Sequence, residues 1–359
     1  MFVSVALKKP NGTSYGFMDL GDKKWNHHPN INEWIRSVLS RTEYTNVLAY
    51  TDDEPDDEKG ENVHSNGGHA KGVVAWNSKK IGWLIHSVPN FPVFPNIGNI
   101  GNIVNISNNK NTQIFPVPSI DSGQLIYGQS FIYLEMDYTS ESLTTIRSQL
   151  DVMKAHIYFK VLSDPIEGID IFEKKEKGKK IDKNEKKEEI CVVPFSSDIV
   201  HVSKSPKWGK DLFQDFMADY FKSIVVCETW MKPGMVSSPM VKNALVVKWD
   251  DDEHTEYFTS LDHSKYAVSM NCNYPWVFIG DINRMESQKR RGGGGLMIKN
   301  TEIWKAFHSI MFSYTDVVNN PYCNYYDNYD NNQGKEGKDN DDKDKEKCDG
   351  CFSIFKCFR

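Results

Sequence analysis

The chain has 359 residues, of which 39% are apolar and 26% are charged, and its formal net charge is −6 at pH 7. This is the balance of a globular protein with a sizeable core, and it excludes a collagen, a coiled coil and a wholly disordered chain. The negative sign argues against a uniformly basic nucleic-acid-binding protein, although protonation of all ten histidines would bring the charge to +4.

Short β-type runs alternate with amphipathic stretches along the chain. Residues 2–7 form an apolar run that is too short for a secretory signal, and we predict a strand there. Apolar residues at helical spacing predict helices over 31–39 (with Asn30 as its N-cap), 211–225 and 301–312. Further strands are predicted at 73–76, 83–86, 131–134, 244–249, 266–270 and 276–279. Strands interspersed with helices indicate an α/β or α+β fold.

Three charged segments have almost nothing to bury: an acidic one at 52–60, a lysine-rich one at 173–189, and one rich in Asn, Asp and Lys at 327–347. Such compositions cannot offset the entropy of ordering, so we expect a surface loop, an insertion and a tail. We place the acidic loop away from any functional cleft. The predicted organisation is a folded domain at 1–325, with halves at 1–165 and 190–325, and a charged tail at 326–359.

No run of 18 or more apolar residues is present, so no membrane-spanning helix is predicted. The seven cysteines are an odd number spread over a long chain, which is not the pattern of a disulfide scaffold, and we expect mostly free thiols. The sequence has no P-loop, dinucleotide fingerprint or nucleophile-elbow serine, which argues against an NTPase, a Rossmann dehydrogenase and an α/β hydrolase.

A weak internal repeat connects the two predicted halves. His69-Ala-Lys71 and His263-Ser-Lys265 are each followed by a β-type run and then by a second strand that begins with tryptophan. Such a distant repeat indicates a duplicated half rather than a tandem array. Residues i and i+2 of a strand point to the same face, so each histidine would project beside its lysine. If the halves pack around a pseudo-two-fold axis, the two pairs meet in one cleft.

Two His-Lys pairs match the needs of phosphodiester cleavage. The reaction needs a nucleophile, a proton donor for the leaving oxygen, and positive charge on the phosphate oxygens. A neutral histidine can attack phosphorus and a protonated one can give up its proton, so the pair should produce a bell-shaped pH profile. A single His-x-Lys arises often by chance, and the second copy is what favours function. No metal-ligand spacing accompanies the pairs, so neither a metal nor a cofactor is predicted.

A basic, glycine-rich segment spans residues 289–295. It is either a flexible exposed loop or a loop whose backbone N–H groups approach phosphates. Under the second interpretation the candidate substrate-binding residues are Arg284, Arg291, Gly292 and Gly293.

The sequence resembles the deoxyribonuclease II family of acid endonucleases, whose core is similar to the phospholipase D superfamily. The resemblance runs from about Phe2 to Phe307. The matching stretches are Gly68-His-Ala-Lys-Gly-Val-Val, Gly82-Trp-Leu-Ile-His-Ser-Val-Pro-Asn-Phe-Pro92, Tyr127-Gly-Gln129, Lys207-Trp-Gly-Lys-Asp-Leu212, Asp262-His-Ser-Lys-Tyr-Ala-Val-Ser269, Pro275-Trp276, Gly280-Asp-Ile-Asn-Arg284 and Arg291-Gly-Gly-Gly294.

The resemblance implies a phospholipase D-like fold of two similar halves that share one cleft. It further implies a metal-independent hydrolase that cuts double-stranded DNA to 3′-phosphate products at acidic pH. The corresponding location is a lysosome or another acidic compartment, or outside the cell, although no signal peptide is visible in this chain. The protein would be a monomer with internal pseudo-symmetry or a homodimer.

By position, His69 and His263 match the active histidines of the family, and Lys71 and Lys265 match its lysines. We predict His69 as the nucleophile that forms a phosphohistidine and His263 as the general acid, roles that pseudo-symmetry could exchange. His86 sits at the family's third histidine position, where it would position or share a proton.

The broader superfamily adds two expectations. Asn283 resembles the asparagine of its Gly-Ser-x-Asn element and would hold the phosphate together with Lys71 and Lys265. The superfamily's aspartate five residues after each lysine is absent, because Trp76 and Met270 occupy those positions. Either another group therefore performs the function of that aspartate, or this chain lacks that function.

Two other functions stay open at this stage. One is a phosphodiesterase of the same superfamily that acts on RNA or phospholipid. The other is a catalytically silent DNA-binding paralogue, against which the two intact His-Lys pairs argue.

Overall fold

Two β-sheets with helices packed on them make up the described part of this computed structural model, residues 1–55, 67–93, 118–162, 189–230, 234–250 and 254–315. The predicted tail lies outside these residues, as does the predicted insertion except for Glu189. No helix within the described ranges is long and apolar enough to cross a membrane.

The first sheet is antiparallel throughout its described strands, in the order β3-β2-β1-β7-β6-β5-β4-β8. Its strands are β1 Phe2–Lys8, β2 Tyr15–Asp19, β3 Asn26–His28, β4 Asn46–Tyr50, β5 Gly72–Trp76, β6 Lys80–His86, β7 Gln129–Asp137 and β8 Ile157–Leu162.

The second sheet has the order β13-β12-β11-β14-β15-β16-β10-β9, and β17 pairs with β12. The pair β11 and β12 is parallel, and the other described pairs are antiparallel. Its strands are β9 Ile190–Pro194, β10 Ile199–Lys204, β11 Val225–Glu228, β12 Val241–Lys248, β13 Glu256–Phe258, β14 Tyr266–Ser269, β15 Trp276–Gly280, β16 Gly293–Lys299 and β17 Met311–Tyr314.

The strand orders of the two sheets correspond around the His-x-Lys segments. Strands β5 and β14 each follow one of these segments, and their neighbours correspond as β6 with β15, β7 with β16, β1 with β10 and β4 with β11. The outer strands differ, since β8 pairs antiparallel with β4 whereas β12 pairs parallel with β11. The fold is therefore mixed α and β with two similar halves, and β6 and β7 of the first half contact β15 of the second.

Helix α1, Ile31–Leu39, matches its predicted bounds, and the Asn30 side chain caps it by accepting the N–H of Asn32 at 3.1 Å. Its apolar stripe packs on the first sheet, against residues such as Phe131. Helix α2, Ser140–Met153, was not predicted, because buried polar residues interrupt its apolar stripe, and it packs on β9 and β10 of the other half.

The predicted helix at 211–225 is shorter in the structure. A π-helical turn, Phe213–Met217, runs into α3, Ala218–Phe221, and 225 already begins β11, because the valines there join the sheet. Helix α4, Thr301–Ile310, ends two residues before its predicted end, where the chain enters β17. The predicted strands are all present with somewhat different bounds. Cys191 and Cys227 are buried free thiols and Cys272 is an exposed one, and the other four cysteines lie outside the described residues.

Candidate active site

The two His-x-Lys segments lie at matching places in the two halves, directly before β5 and β14. The sequence pattern predicts them within strands. In the structure they precede the strands, because sheet pairing begins one residue after each lysine. The lysine side chains are almost fully buried, with 2% of Lys71 and of Lys265 exposed, while His69 and His263 are partly exposed. Each histidine residue is therefore more accessible than its lysine, although the Nε2 atom of His263 is itself buried.

Each segment is bound to a loop of the opposite half. Gly68 forms a parallel bridge with Gly292, and the His69 N–H donates to the Gly292 carbonyl at 2.7 Å. Likewise Gly128 bridges Asp262, and the His263 N–H donates to the Gly128 carbonyl at 2.9 Å. The two segments thus line the boundary between the halves.

The two lysines are close enough to influence each other. Burial lowers the pKa of Lys265 to about 7, and the positive charge of Lys71 lowers it further against the opposing effect of Asp262, Asp281 and Asp52. The same two lysine charges reach His69. Charges from both halves therefore act within one site, as the duplicated motif predicts.

The ring of His69 is held in one orientation and one tautomer. Its Nδ1 lies 2.6 Å from the backbone carbonyl oxygen of Asp281, which belongs to the other half. A carbonyl oxygen only accepts hydrogen bonds, so Nδ1 carries the proton and the lone pair of the neutral ring lies on Nε2. Burial, followed by the positive charge of Lys71, lowers the pKa of His69 to about 3, so the ring is neutral at pH 5.

His263 has aromatic surroundings instead. The Tyr127 ring stacks on it with centroids 4.0 Å apart and planes inclined by 10°, and Trp230 meets it edge-on at 3.7 Å. Aromatic faces attract a cation, so this environment suits an imidazolium. The two histidines therefore lie in chemically different environments despite the similarity of their motifs.

A buried carboxylate that sequence analysis missed lies beside the first pair. Asp52 is 4% exposed, forms an ion pair with the Lys71 ammonium group, and receives Nη2 of Arg291 at 3.0 Å. The expectation that residues 52–60 are a surface loop away from the cleft is wrong at Asp52, because the buried Lys71 and the partly buried Arg291 hold it there. Residues 56–60 of that segment lie outside the described residues.

The loop after β15 supplies further polar groups. Asp281 accepts the Gly294 N–H on Oδ1 at 2.8 Å, and burial raises its pKa to about 7 against the lowering effects of that bond and of Lys71. Asn283, a predicted phosphate ligand, is 7% exposed, and its Oδ1 has no hydrogen-bond partner within the described residues. The described scaffold therefore does not use this oxygen, and the role of Asn283 as a phosphate ligand stays a prediction.

His86 lies below the cleft rather than in it. It is fully buried, its ring packs edge-on against Phe91 at 4.9 Å, and its backbone N–H donates to the Lys71 carbonyl at 3.3 Å. Burial and the charges of Lys71 and Lys265 hold its pKa well below the usual range. The structure therefore brings it close to both lysines, and its role in proton transfer stays a prediction.

Arg284 is engaged by the scaffold. Its Nε donates to Asp211 at 3.0 Å, its Nη1 donates to Asn243 at 2.9 Å and to two carbonyls, and its side chain is 1% exposed. The structure does not present it to a substrate as the sequence analysis expected, because a buried carboxylate binds it.

The glycine-rich segment is a strand and its lead-in rather than an exposed loop. Gly293 begins β16, and a Cβ built on Gly292 would overlap the Met153 carbonyl oxygen. These glycines allow close backbone packing, and both are buried. Arg291 alone of the proposed substrate-binding residues is partly exposed, with 14% of its side chain accessible.

The sequence model of the deoxyribonuclease II family matches residues 4–317. The chain belongs to the deoxyribonuclease II family. It is accordingly a nuclease, a hydrolase with DNA as its substrate.

Similar proteins include plancitoxin-1 of Acanthaster planci, which is 29% identical over 282 residues, covering 74% of this chain and 70% of the relative. Deoxyribonuclease-2 of Caenorhabditis elegans is 26% identical over 309 residues (84% and 73%), and deoxyribonuclease-2-beta of Mus musculus is 28% identical over 328 residues (84% and 83%).

Proposed function

We propose that this deoxyribonuclease is a metal-independent acid endonuclease that leaves 3′-phosphate ends, with His69 as the nucleophile and His263 as the general acid. The observation that carries the proposal is the hydrogen bond between His69 Nδ1 and the Asp281 carbonyl. Because that bond places the lone pair of the neutral ring on Nε2, His69 is prepared to attack phosphorus without first losing a proton.

The environments of the histidines support this division of roles. Lys71 and Arg291 lie near His69 and oppose a positive charge on its ring. Tyr127 stacks its ring face on His263, which stabilises a positive charge there, and Trp230 packs against the same ring edge-on. The neutral ring is thus the nucleophile, and the ring that holds a proton is the acid.

The reaction proceeds in two displacements. His69 Nε2 forms a bond to phosphorus while the bond from phosphorus to the 5′ oxygen breaks, and His263 transfers its proton to that oxygen. Water then attacks the phosphohistidine, the now neutral His263 takes a proton from the water, and the phosphorus–nitrogen bond breaks. The products are a 5′-hydroxyl end and a 3′-phosphate end, and both rings regain their starting states.

Positive charge for the phosphate oxygens comes from Lys71, Lys265 and Arg291, and Asn283 adds an amide donor. Lysine has three N–H donors, so the bond from Lys71 to Asp52 leaves two for a ligand. The Nζ of Lys265 donates to the His263 carbonyl, which holds the ammonium group beside its own histidine. Donors arranged before the substrate arrives stabilise the charge that develops in the transition state.

Two buried groups account for activity at acidic pH. Below about pH 7 Lys265 gains its positive charge and Asp281 loses its negative one, so the cleft becomes more attractive to a phosphodiester. A lysosome, another acidic compartment or an acidic extracellular setting suits this dependence.

The test compares plasmid DNA with thymidine 3′-(4-nitrophenyl phosphate) in EDTA at pH 4 to 8. The nitrophenolate leaving group departs without a proton, whereas a 5′ alkoxide needs one. We therefore expect His69→Ala to abolish cleavage of both substrates. His263→Ala should slow plasmid cleavage by about a hundredfold to ten-thousandfold but keep the first release of nitrophenolate. His254→Ala, at an exposed histidine, is the matched control.

Several results would contradict the proposal. Full activity of the His69→Ala variant at pH 5 would show that His69 is not the nucleophile. Loss of wild-type activity in EDTA would show that the enzyme needs a metal ion. If the His69→Ala variant still released nitrophenolate and the His263→Ala variant did not, then His263 would be the nucleophile and His69 the general acid. RNA and phosphatidylcholine assayed in parallel identify a different phosphodiesterase if either is cleaved faster than DNA.

A further inference from the structure

Asp52 is brought to the first His-Lys pair by strand pairing. Strand β4 pairs with β5 so that Tyr50 lies opposite Gly72, the residue that follows Lys71. The chain leaving β4 therefore runs beside the segment that enters β5, and Asp52 comes to lie next to Lys71. Its side chain is 6% exposed, so its contacts are made away from bulk water.

The two oxygens of this carboxylate bind cations from different halves of the molecule. Oδ1 contacts the Lys71 ammonium group of the first half, and Oδ2 contacts Nη2 of Arg291 of the second half at 3.0 Å. The same Nη2 donates to the Gly68 carbonyl at 3.0 Å. The chain around His69 is thus held from both sides by groups that meet at Asp52.

Asp52 stays ionised where other buried carboxyl groups of the site do not. Burial would raise its pKa, but the positive charges of Lys71 and Arg291 and the hydrogen bond from Lys71 outweigh burial and hold the pKa well below its usual range. Burial instead raises the pKa of Asp281 to about 7. At pH 5 Asp52 is therefore a fixed negative charge between two cations, and removing it leaves Lys71 and Arg291 to repel each other.

The second half has no carboxylate at the corresponding position. In its sheet Glu228 lies opposite Tyr266, the residue that follows Lys265, just as Tyr50 lies opposite Gly72. Two residues later comes Trp230, which packs on His263. A carboxylate at this position is therefore a feature of the first half alone, and we expect its main effect on the step that His69 performs.

We propose that Asp52 is a positioning residue of this nuclease, which fixes Lys71 and Arg291 beside His69 so that both cations meet the phosphate that this ring attacks. It touches neither phosphate nor leaving group and acts through the two cations. The role rests on the proposed function, because it presupposes that His69 is the nucleophile.

The experiment measures kcat and KM of Asp52→Asn on a DNA oligonucleotide and on thymidine 3′-(4-nitrophenyl phosphate), at pH 5 with EDTA. Asp137→Asn is the matched control, since Asp137 forms an exposed ion pair with Lys80. We expect Asp52→Asn to lower kcat on the order of tenfold to a hundredfold, equally for both substrates, and Asp52→Glu to recover part of the loss. An effect on the natural leaving group alone would place Asp52 on the His263 side and overturn the proposal.

A double-mutant cycle separates positioning from general destabilisation. Because Asp52 acts through Lys71 as well as through Arg291, the double variant of Asp52→Asn and Lys71→Met should lose clearly less activity than the product of the two single losses. Losses that multiply would overturn the proposal. Should Asp52→Asn fail to fold, Arg291→Gln breaks the same link from the other half and must lower kcat equally for both substrates.

Failure of this role and failure of the proposed function give different results. Wild-type activity on DNA in EDTA, with an inactive His69→Ala, upholds the proposed function whatever Asp52→Asn does. An Asp52→Asn enzyme as fast as the wild type under those conditions removes only the role of Asp52.

Discussion

The alkaline decline in activity should depend on two buried groups that titrate together, in addition to the general acid His263. Lys265 and Asp281 both have a pKa of about 7, the first lowered and the second raised by burial. At pH 5 about 99% of each is protonated, and at pH 8 only about a tenth is. Lys265 is then mostly neutral and Asp281 mostly negative, so the charge in the cleft falls by nearly two units across this range.

The magnitude follows from the number of protons. If cleavage needs both groups protonated, they contribute a loss of kcat/KM above pH 7 that approaches a hundredfold per pH unit, about tenfold for each proton, in addition to the proton that the general acid itself must hold. Asp281→Asn removes one of these two titrations and keeps an oxygen that can accept the Gly294 N–H. The loss per pH unit should then be about tenfold smaller than in the wild type, and the pH 8 rate, relative to each enzyme's own rate at pH 5, should be about tenfold higher than in the wild type.

The assay is a pH profile of kcat/KM from pH 5 to 9 with a fluorescent oligonucleotide at constant ionic strength, because phosphate binding depends strongly on salt. Asp121→Asn, at an exposed carboxylate, should leave the wild-type slope unchanged. A slope for Asp281→Asn equal to that of the wild type would refute the reasoning. Comparing slopes avoids any dependence on the absolute rates of the variants.

Two further predictions concern residues for which the sequence suggested contact with substrate. Arg284→Met should lower the free energy of unfolding by about 3–5 kcal/mol, since it leaves a buried carboxylate unpaired, while Lys80→Met at an exposed ion pair should cost about 0–1 kcal/mol in the same urea titration. Equal losses would mean that the arginine is not part of the core. Gly292→Ala should reduce kcat/KM by more than about tenfold, because a Cβ there has no space and the same residue holds His69, whereas Gly123→Ala has open space and should be neutral. Normal kinetics of the first variant would contradict the bridge between the halves.

Local signals were sufficient where a single element determines the outcome. The stripe of apolar residues over 31–39 and its Asn30 cap predicted helix α1 to the residue, because helical spacing and capping are both written in consecutive positions. The duplicated His-x-Lys motif likewise located both His-Lys pairs, since a strand and its lead-in are set within a few residues.

The sequence alone could not predict contacts that arise only from strand pairing. Asp52 belongs to an acidic run by composition, and only the pairing of β4 with β5 brings it against Lys71. The glycines at 292–295 suggest flexibility by composition, yet each faces the backbone or side chains of neighbouring segments. Helix α2 was missed because Thr145 and Gln149, which are polar, occupy buried positions in its stripe.

The crossed bridges between the halves have an evolutionary consequence. His69 is bound by the carbonyl groups of Gly292 and Asp281, and His263 is bound by the carbonyl of Gly128. Each half therefore positions the histidine of the other half. We therefore expect substitutions at the bridging residues of one half to displace the histidine of the other half, so that positions far apart in the sequence are epistatic. Outside these bridges the half-sites differ in chemistry, as at the corresponding positions Asp52 and Trp230.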